Sequence, residues 1–259
     1  MSAVASQAAA QTQAQDGAAP ASWRPLILQL AGIAVAFALL TLWLSTAELS
    51  ASERTTLAPA ALWDYTVQHL LLTGVAAVIV LVIAIPLGVV LTRGRLHRIT
   101  GPVMAVANIG QAAPAIGLLV LLAFWLGFGF RAAVTALVVY ALLPVMRNTM
   151  VGLQQVDPRI VEAGRGVGMS STGVLFRLEL PLAVPIMLSG VRTALVLLVG
   201  TATLATFVNG GGLGILITTG VNLNLTTVLV AGAVLVALLA LIVDWIGRVV
   251  EHVARPKGL

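Results

Sequence analysis

The sequence predicts an all-α integral membrane protein of about six transmembrane helices, and three observations carry that prediction. Of its 259 residues, 59% are hydrophobic and only 9% are charged, against roughly a quarter charged in ordinary soluble domains. The apolar residues are gathered into runs near or above the roughly 20 residues that cross a hydrocarbon core at about 1.5 Å of rise each. A lipid-exposed span must also satisfy its backbone hydrogen bonds internally, which leaves helices as the spanning elements. The formal charge of +5 does not point to nucleic acid, because Lys and Arg lie between hydrophobic runs rather than on one polar face interleaved with aromatics. With no cysteine, disulfides, thiolate metal sites and a cysteine nucleophile are excluded.

Residues 1–22 are mostly Ala, Gln and Ser with the single charge of Asp16, too little bulky apolar surface to offset chain entropy, and are expected to form a disordered cytoplasmic tail. Residues 23–66 are assigned to the first transmembrane helix and an outer loop. The apolar run 26–46 exceeds the roughly 7 to 15 residues of a signal-peptide core, so an uncleaved span is expected despite the small residues Ser45-Thr46-Ala47. Residues 67–250 form the expected core, with runs at 67–91, 103–128, 132–150, 181–208 and 226–249 and a long polar loop over 152–181. Residues 251–259 read as a C-terminal cytoplasmic tail. Arg93, Arg95 and Arg98, then Arg147, Arg159, Arg165 and Arg177, then Arg248, Arg255 and Lys257 mark one side of the membrane. The other side carries Arg54 and Arg131, so both termini are expected to be cytoplasmic. Pro86, Pro114 and Pro144 interrupt apolar runs, where the carbonyls they free must be satisfied by neighbouring helices or cavity water.

The loop is the most informative segment. It opens with Asp157-Pro158, a helix cap followed by proline at the first helical position. Glu162-Ala163-Gly164 follows, then Gly168 four residues on, then nine residues, then Leu178-Glu179-Leu180-Pro181. This spacing resembles the EAA motif of binding-protein-dependent ABC importer permeases, departing from it by Gly164 for the second Ala and Leu178 for Ile. The resemblance implies a type I ABC importer permease fold with a cytoplasmic coupling helix between spans four and five, in which Glu162, Ala163, Gly164, Gly168, Leu178, Leu180 and Pro181 couple the chain to an ATPase. Small residues at Ala163, Gly164, Gly166 and Gly168 are expected to let the partner approach the backbone, and Gly168 to supply a positive φ. The bland alternative for Glu162 is a helical ion pair with Arg159 or Arg165. Pro181 and Pro185 are expected to open span five, where first-turn N–H groups need no helical partner.

Further strings extend the resemblance from about Asn108 to Asp244, most strongly toward permeases for glycine betaine, choline and related osmoprotectants. They are Gln111-Ala112-Ala113-Pro114, Leu143 to Thr149, Gly190 to Ala194, and an outer glycine-rich loop of Gly210, Gly211, Gly212 and Gly214. Relatives importing methionine share the glycine string and the motif segment, so methionine or another small polar solute is the alternative; a secondary transporter or channel is the alternative of another class. Asn108, Gln111, Pro114, Asn148 and Thr203 are the candidate translocation-pathway residues, since polar groups within spans tend to face the bundle interior, where interhelical hydrogen bonding is the competing role. Arg192, deep in span five, has Asp244 as its possible partner. Aromatics in the spans are few, so tight recognition of a quaternary cation is expected in a separate extracytoplasmic substrate-binding protein.

No catalytic or metal-binding residues are assigned: His69, His97 and His252 are scattered. A phosphate-cradling loop needs Gly, four residues, then Gly-Lys and Ser or Thr, and the chain's one lysine is Lys257. The chain itself is therefore expected to be no enzyme and to bind no cofactor. ATP and Mg are placed on a partner dimer of ATP-binding subunits, with a second permease subunit, identical or not, the lipid bilayer as surroundings and the cell inner membrane as location.

Overall fold

The computed structural model describes residues 23–254, so the tail expected over 1–22, and Arg255 and Lys257 with the rest of 255–259, lie outside the described residues. Eleven α-helices follow in order: α1 (Arg24–Thr46), α2 (Ala51–Thr56), α3 (Pro59–Leu91), α4 (Thr100–Ala112), α5 (Ala115–Leu126), α6 (Phe130–Gln154), α7 (Pro158–Gly166), α8 (Ser171–Val174), α9 (Leu180–Thr201), α10 (Gly214–Asn222) and α11 (Thr226–Ala254). Tighter 3-10 segments occupy Gly94–Ile99 and Ala202–Val208, and a wider π turn occupies Leu175–Glu179.

Two expected boundaries move. The outer loop assigned up to residue 66 is largely helical, because α2 fills its middle and α3 starts at Pro59, where proline's fixed φ suits a first turn. The tail assigned to 251–259 begins as the last turn of α11, which continues to Ala254.

Among the described residues five helical stretches are long and apolar enough to span a membrane, the helices α1, α3, α6 and α11 and the stretch Ser171–Val208. The run 103–128 is not one straight span. It is α4 and α5 bent by 99° at Pro114. Proline disfavours helical geometry in the residue before it, and Ala113 is accordingly extended, with φ −62° and ψ 143°. Pro86 and Pro144 lie inside helices that continue past them. The groups exposed at these breaks are met across the helix interface. Pro144 has no N–H for the carbonyl of Tyr140 four residues back. Gln111 Nε2 donates to that carbonyl at 3.5 Å, and the Tyr140 hydroxyl donates to the carbonyl of Ala113.

The core is centred on α6, which packs between α3 and α9. Small residues set the spacing, as expected where lipid supplies no hydrophobic drive between helices. A Cβ built on Gly88 of α3 would lie 2.9 Å from Thr149 Cβ, and one on Gly190 of α9 would lie 2.4 Å from Asn148 Cβ.

Helix α1 is peripheral. It buries Leu26, Ile33 and Leu40, a seven-residue stripe set against α11, while Leu28 and Leu42 on its remaining surface are exposed. Polar contacts fix one end of it: Trp245 Nε1 donates to the Leu26 carbonyl at 2.9 Å and Gln29 Nε2 to Asp244 Oδ2 at 3.0 Å. Asp244 also pairs with Arg192 at 3.4 Å and Arg248 at 2.7 Å, so Arg192 has the partner proposed for it, and its Nε lies 3.8 Å from Glu251 as well.

At the other end α2 is held by a capping box. Ser50 Oγ accepts from the Glu53 N–H, and the Glu53 carboxylate accepts from the Ser50 N–H at 2.9 Å. These bonds, with the hydroxyls of Ser50 and Thr227, hold the Glu53 carboxyl below its ordinary pKa. A depressed native pKa contributes stability that is present above the unfolded value and lost as pH falls through the native one. The protection factor for amide exchange over residues 50–57, taken against the intrinsic rate at each pH, is therefore expected to fall on acidification below the ordinary carboxylate range, and a Glu53→Gln variant to show no such pH step.

Candidate functional site

The motif loop folds from its capping signals. Asp157 accepts from the Arg159 N–H at 2.8 Å, which starts α7 behind Pro158. The helix ends in a Schellman turn: Met169 N–H donates to Gly164 O at 3.1 Å and Gly168 N–H to Arg165 O at 2.9 Å, with Gly168 at φ +87°. Gly168 thus supplies the left-handed residue that the turn requires.

Glu162, Ala163, Gly166 and Gly168 lie on the exposed face, joined by Val167 at 80% exposure. Glu162 takes part in no ion pair with Arg159 or Arg165 among the described residues. Gly164 differs from its expected outward role. It is buried, and a Cβ there would lie 2.6 Å from Leu178 Cδ1 and 3.4 Å from Val174.

The two positions at which this chain departs from the motif therefore touch each other. Gly164→Ala is expected to lower stability by about 1 kcal/mol, overpacking outweighing the gain in helix propensity. Adding Leu178→Ile is expected to return most of that loss, so thermal midpoints of the four proteins in detergent should show a non-additive pair.

After the turn, Ser170 Oγ accepts from the Gly173 N–H at 3.1 Å and starts a helix that does not stop before the membrane. The expectation that Pro181 opens span five is corrected. Residues 171–201 run continuously, with a π turn at Leu175–Glu179 in which Leu180 N–H bonds to Leu175 O. Pro181 cannot donate, and its ring would crowd the carbonyl four residues back; a widened turn relieves both. Leu178 is half-buried against Gly164, and Leu180 packs with Leu153, Ala183 and Met187. The second half of the motif, from Ser171 on, and span five are one mechanical element.

Glu179, passed over within the motif string, is the residue that sequence reasoning missed. Its side chain is 8% exposed, and both carboxylate oxygens accept from Arg93, just beyond α3. From the sequence Arg93 is no more than a marker of membrane sidedness. The pair ties the motif segment to span two with the bidentate geometry that favours Arg over Lys.

At the opposite end of α9, each glycine of the glycine-rich loop meets a different neighbour. A Cβ on Gly210 would lie 2.9 Å from Ala133 Cβ, on Gly211 2.4 Å from Gln68 Oε1, on Gly212 3.0 Å from His69 Nδ1, and on Gly214 1.9 Å from the carbonyl oxygen of Thr203. Gln68 Oε1 accepts from the Gly212 N–H at 3.1 Å. The string is packing, with Asn209, Gly211 and Gly212 at positive φ turning the chain.

The five pathway candidates do not bond to one another. Gln111 serves the Tyr140 carbonyl, Asn148 Nδ2 donates to Pro144 O at 2.8 Å beside Gly190, and Thr203 Oγ1 donates to Gly200 O at 2.7 Å. Asn108 and Pro114 are exposed on the bent α4–α5 pair.

Comparison with known proteins follows the same outline. The family model described as binding-protein-dependent transport system inner membrane component matches residues 84–255. The glycine betaine/carnitine/choline transport system permease protein OpuCB of Bacillus subtilis is 40% identical over 74% of this chain and 88% of its own length. The osmoprotectant import permease protein OsmW of Salmonella typhimurium is 38% identical over 75% and 92%. Among solved structures, chains of the MetNI methionine ABC transporter in inward facing conformations superpose with TM-scores of 0.66 and 0.68 at 25% and 24% identity. They cover 75% and 77% of this chain and 96% and 100% of their own.

Proposed function

This chain belongs to the binding-protein-dependent transport system inner membrane components, and we propose that it is the permease through which glycine betaine, choline or a related quaternary amine is imported at the expense of ATP. The observation that carries the substrate class is the 40% identity to a glycine betaine/carnitine/choline permease over most of both chains. The likeness to the methionine transporter is lower, at 25% identity, and supports the fold.

In this reading the exposed face of α7, around Glu162, Ala163 and Gly168, receives one subunit of an ATPase dimer, which holds the ATP and Mg. Closure of that dimer pushes α7. Because Gly164 of α7 packs against Leu178, the part of the motif after the turn runs from Ser171 without a stop into α9, and Glu179 is paired to Arg93, the push reaches spans two and five together. A second permease subunit faces this one across the pathway, and an extracytoplasmic binding protein delivers the solute to the glycine-rich side. Arg93, Arg147, Arg159, Arg177 and Arg248 then lie on the cytoplasmic side, with both termini. Asn108, Gln111, Pro114, Asn148 and Thr203 are proposed to border the route, Asn108 and Pro114 most directly since they are exposed.

The test is uptake of radiolabelled glycine betaine, choline and methionine, each separately, by vesicles holding the chain with its ATPase and binding protein. ATP-dependent uptake that needs all three components is the expected result. ATP-independent flux through this chain alone would make it a channel or secondary transporter, and ATP-dependent uptake of methionine alone would replace the substrate class.

A further inference from the structure

We infer that His69 is a positioning residue that locks the outer glycine-rich loop to the membrane helix carrying the coupling segment, so that loop, α3 and α9 move as one body. The inference rests on the importer reading above for its consequence, and on geometry for the lock itself.

His69 is fully buried on α3. Its Nδ1 accepts from the Leu213 N–H at 3.3 Å, and its Nε2 lies 2.9 Å from the Val199 carbonyl oxygen. A backbone N–H can only donate and a carbonyl can only accept. The ring is therefore the neutral tautomer with the proton on Nε2, aimed at Val199. Val199 lies in the last turn of α9, where the chain passes into the 3-10 segment Ala202–Val208. One imidazole thus joins the outer loop, the outer end of span five and span two, with both nitrogens committed. Gln68 beside it seats the preceding amide of the loop.

The lock has a counterpart at the other end of the same two helices, where Arg93 and Glu179 pair. Helical rise puts His69 and Arg93 about 36 Å apart along the chain's path through α3, and Glu179 and Val199 about 30 Å apart along α9. Two antiparallel helices tied at points so far apart resist sliding past each other. Since the segment from Ser171 to Val199 is one helical stretch, and Gly164 of α7 packs against Val174 and Leu178 within it, displacement of the coupling helix is carried through that contact toward the outer loop. A buried neutral imidazole must have both its N–H donor and its lone-pair acceptor satisfied, and here the donor goes to α9 and the acceptor to the loop, so satisfying the ring itself ties the two together.

Three variants separate the two contacts. His69→Asn keeps an acceptor near the Nδ1 position but does not reach Val199; His69→Gln keeps the reach toward Val199 but leaves the loop amide unpaired; His69→Leu removes both. In the complex of permease, ATPase and binding protein, His69→Asn is expected to retain amide-exchange protection over 209–214 yet to lower solute imported per ATP hydrolysed by about tenfold, the scale of one buried hydrogen bond lost. ATPase rate should stay within about twofold, because the α7 face is untouched. His69→Gln is expected to lose protection over 209–214 and to show the same uncoupling. Two results would overturn the inference: His69→Asn importing at the wild-type ratio, or ATPase rate, uptake and melting falling together in all three variants. Wild-type vesicles without ATP-dependent uptake would instead remove the importer reading, and the exchange arm would then decide the lock by itself, unchanged protection in His69→Leu rejecting it and lost protection supporting it.

Discussion

Glu179→Gln is expected to reduce ATP-driven uptake by about tenfold while leaving the protein in the membrane and its ATPase partner bound, the scale set by losing a charge-assisted bidentate contact. Breaking a fully buried ion pair costs roughly 3–5 kcal/mol because the survivor is stranded. Here the survivor, Arg93, is 36% exposed, so water screens it and the stability cost is expected to be nearer 1–2 kcal/mol. The functional cost is larger than the stability cost for a geometric reason. Glu179 sits in the π turn, the widest and least regular part of the helix between the motif and span five, and the pair is what braces that turn against α3. Arg93→Lys should reproduce much of the loss, since an ammonium cannot take both carboxylate oxygens in the fork geometry. The charge-reversed double variant, Arg93→Glu with Glu179→Arg, should recover part of it. Uptake and ATP hydrolysis measured on the same vesicles check this. Full uptake by Glu179→Gln would mean the turn needs no brace.

The contrast between what was readable and what was not follows from where each signal resides. Arg192 and Asp244 were legible because an intramembrane charge must find an opposite one and few candidates exist; the structure places them 3.4 Å apart. The motif was legible because its spacing is local. The three prolines were not distinguishable from one another, each being a proline in an apolar run. Only Pro114 breaks its span, and there Tyr140, from another helix, satisfies the extended residue before it. Gly164 and Gly168 looked alike as small residues of one loop, yet one is buried and the other exposed. Which face of α7 turns inward is decided by Leu178 returning after the turn, a contact no helical period encodes. His69 left no trace because its partners are the backbone of Leu213 and Val199, and backbone carries no residue identity.

Gly214→Ala is expected to be the most damaging Gly→Ala change among the described residues. The added Cβ would lie 1.9 Å from the Thr203 carbonyl oxygen, 2.7 Å from its carbon and 2.9 Å from its Cα. All three are backbone atoms, so no rotamer change relieves the clash, and the 3-10 segment Ala202–Val208 must separate from α10. Glycine to alanine in a helix otherwise gains up to about 1 kcal/mol, which makes Gly32→Ala and Gly74→Ala suitable controls, since a Cβ at either meets nothing within 4 Å. The controls should leave the thermal midpoint in detergent unchanged or raised. Gly214→Ala should lower it by roughly 6–12 °C, the shift that a loss of about 3 kcal/mol produces in a chain of this size. Gly190→Ala, facing Asn148 Cβ at 2.4 Å and the Pro144 carbonyl at 2.8 Å, should fall between them, because both atoms are fixed by the backbone yet its closest approach is 2.4 Å against 1.9 Å at Gly214. A midpoint for Gly214→Ala equal to that of Gly32→Ala would mean that the glycine-rich loop does not seat against the 3-10 segment at all. The contact of Leu213 with His69 would then lose its support as well, since Leu213 is held in place from both sides by the residues that flank it.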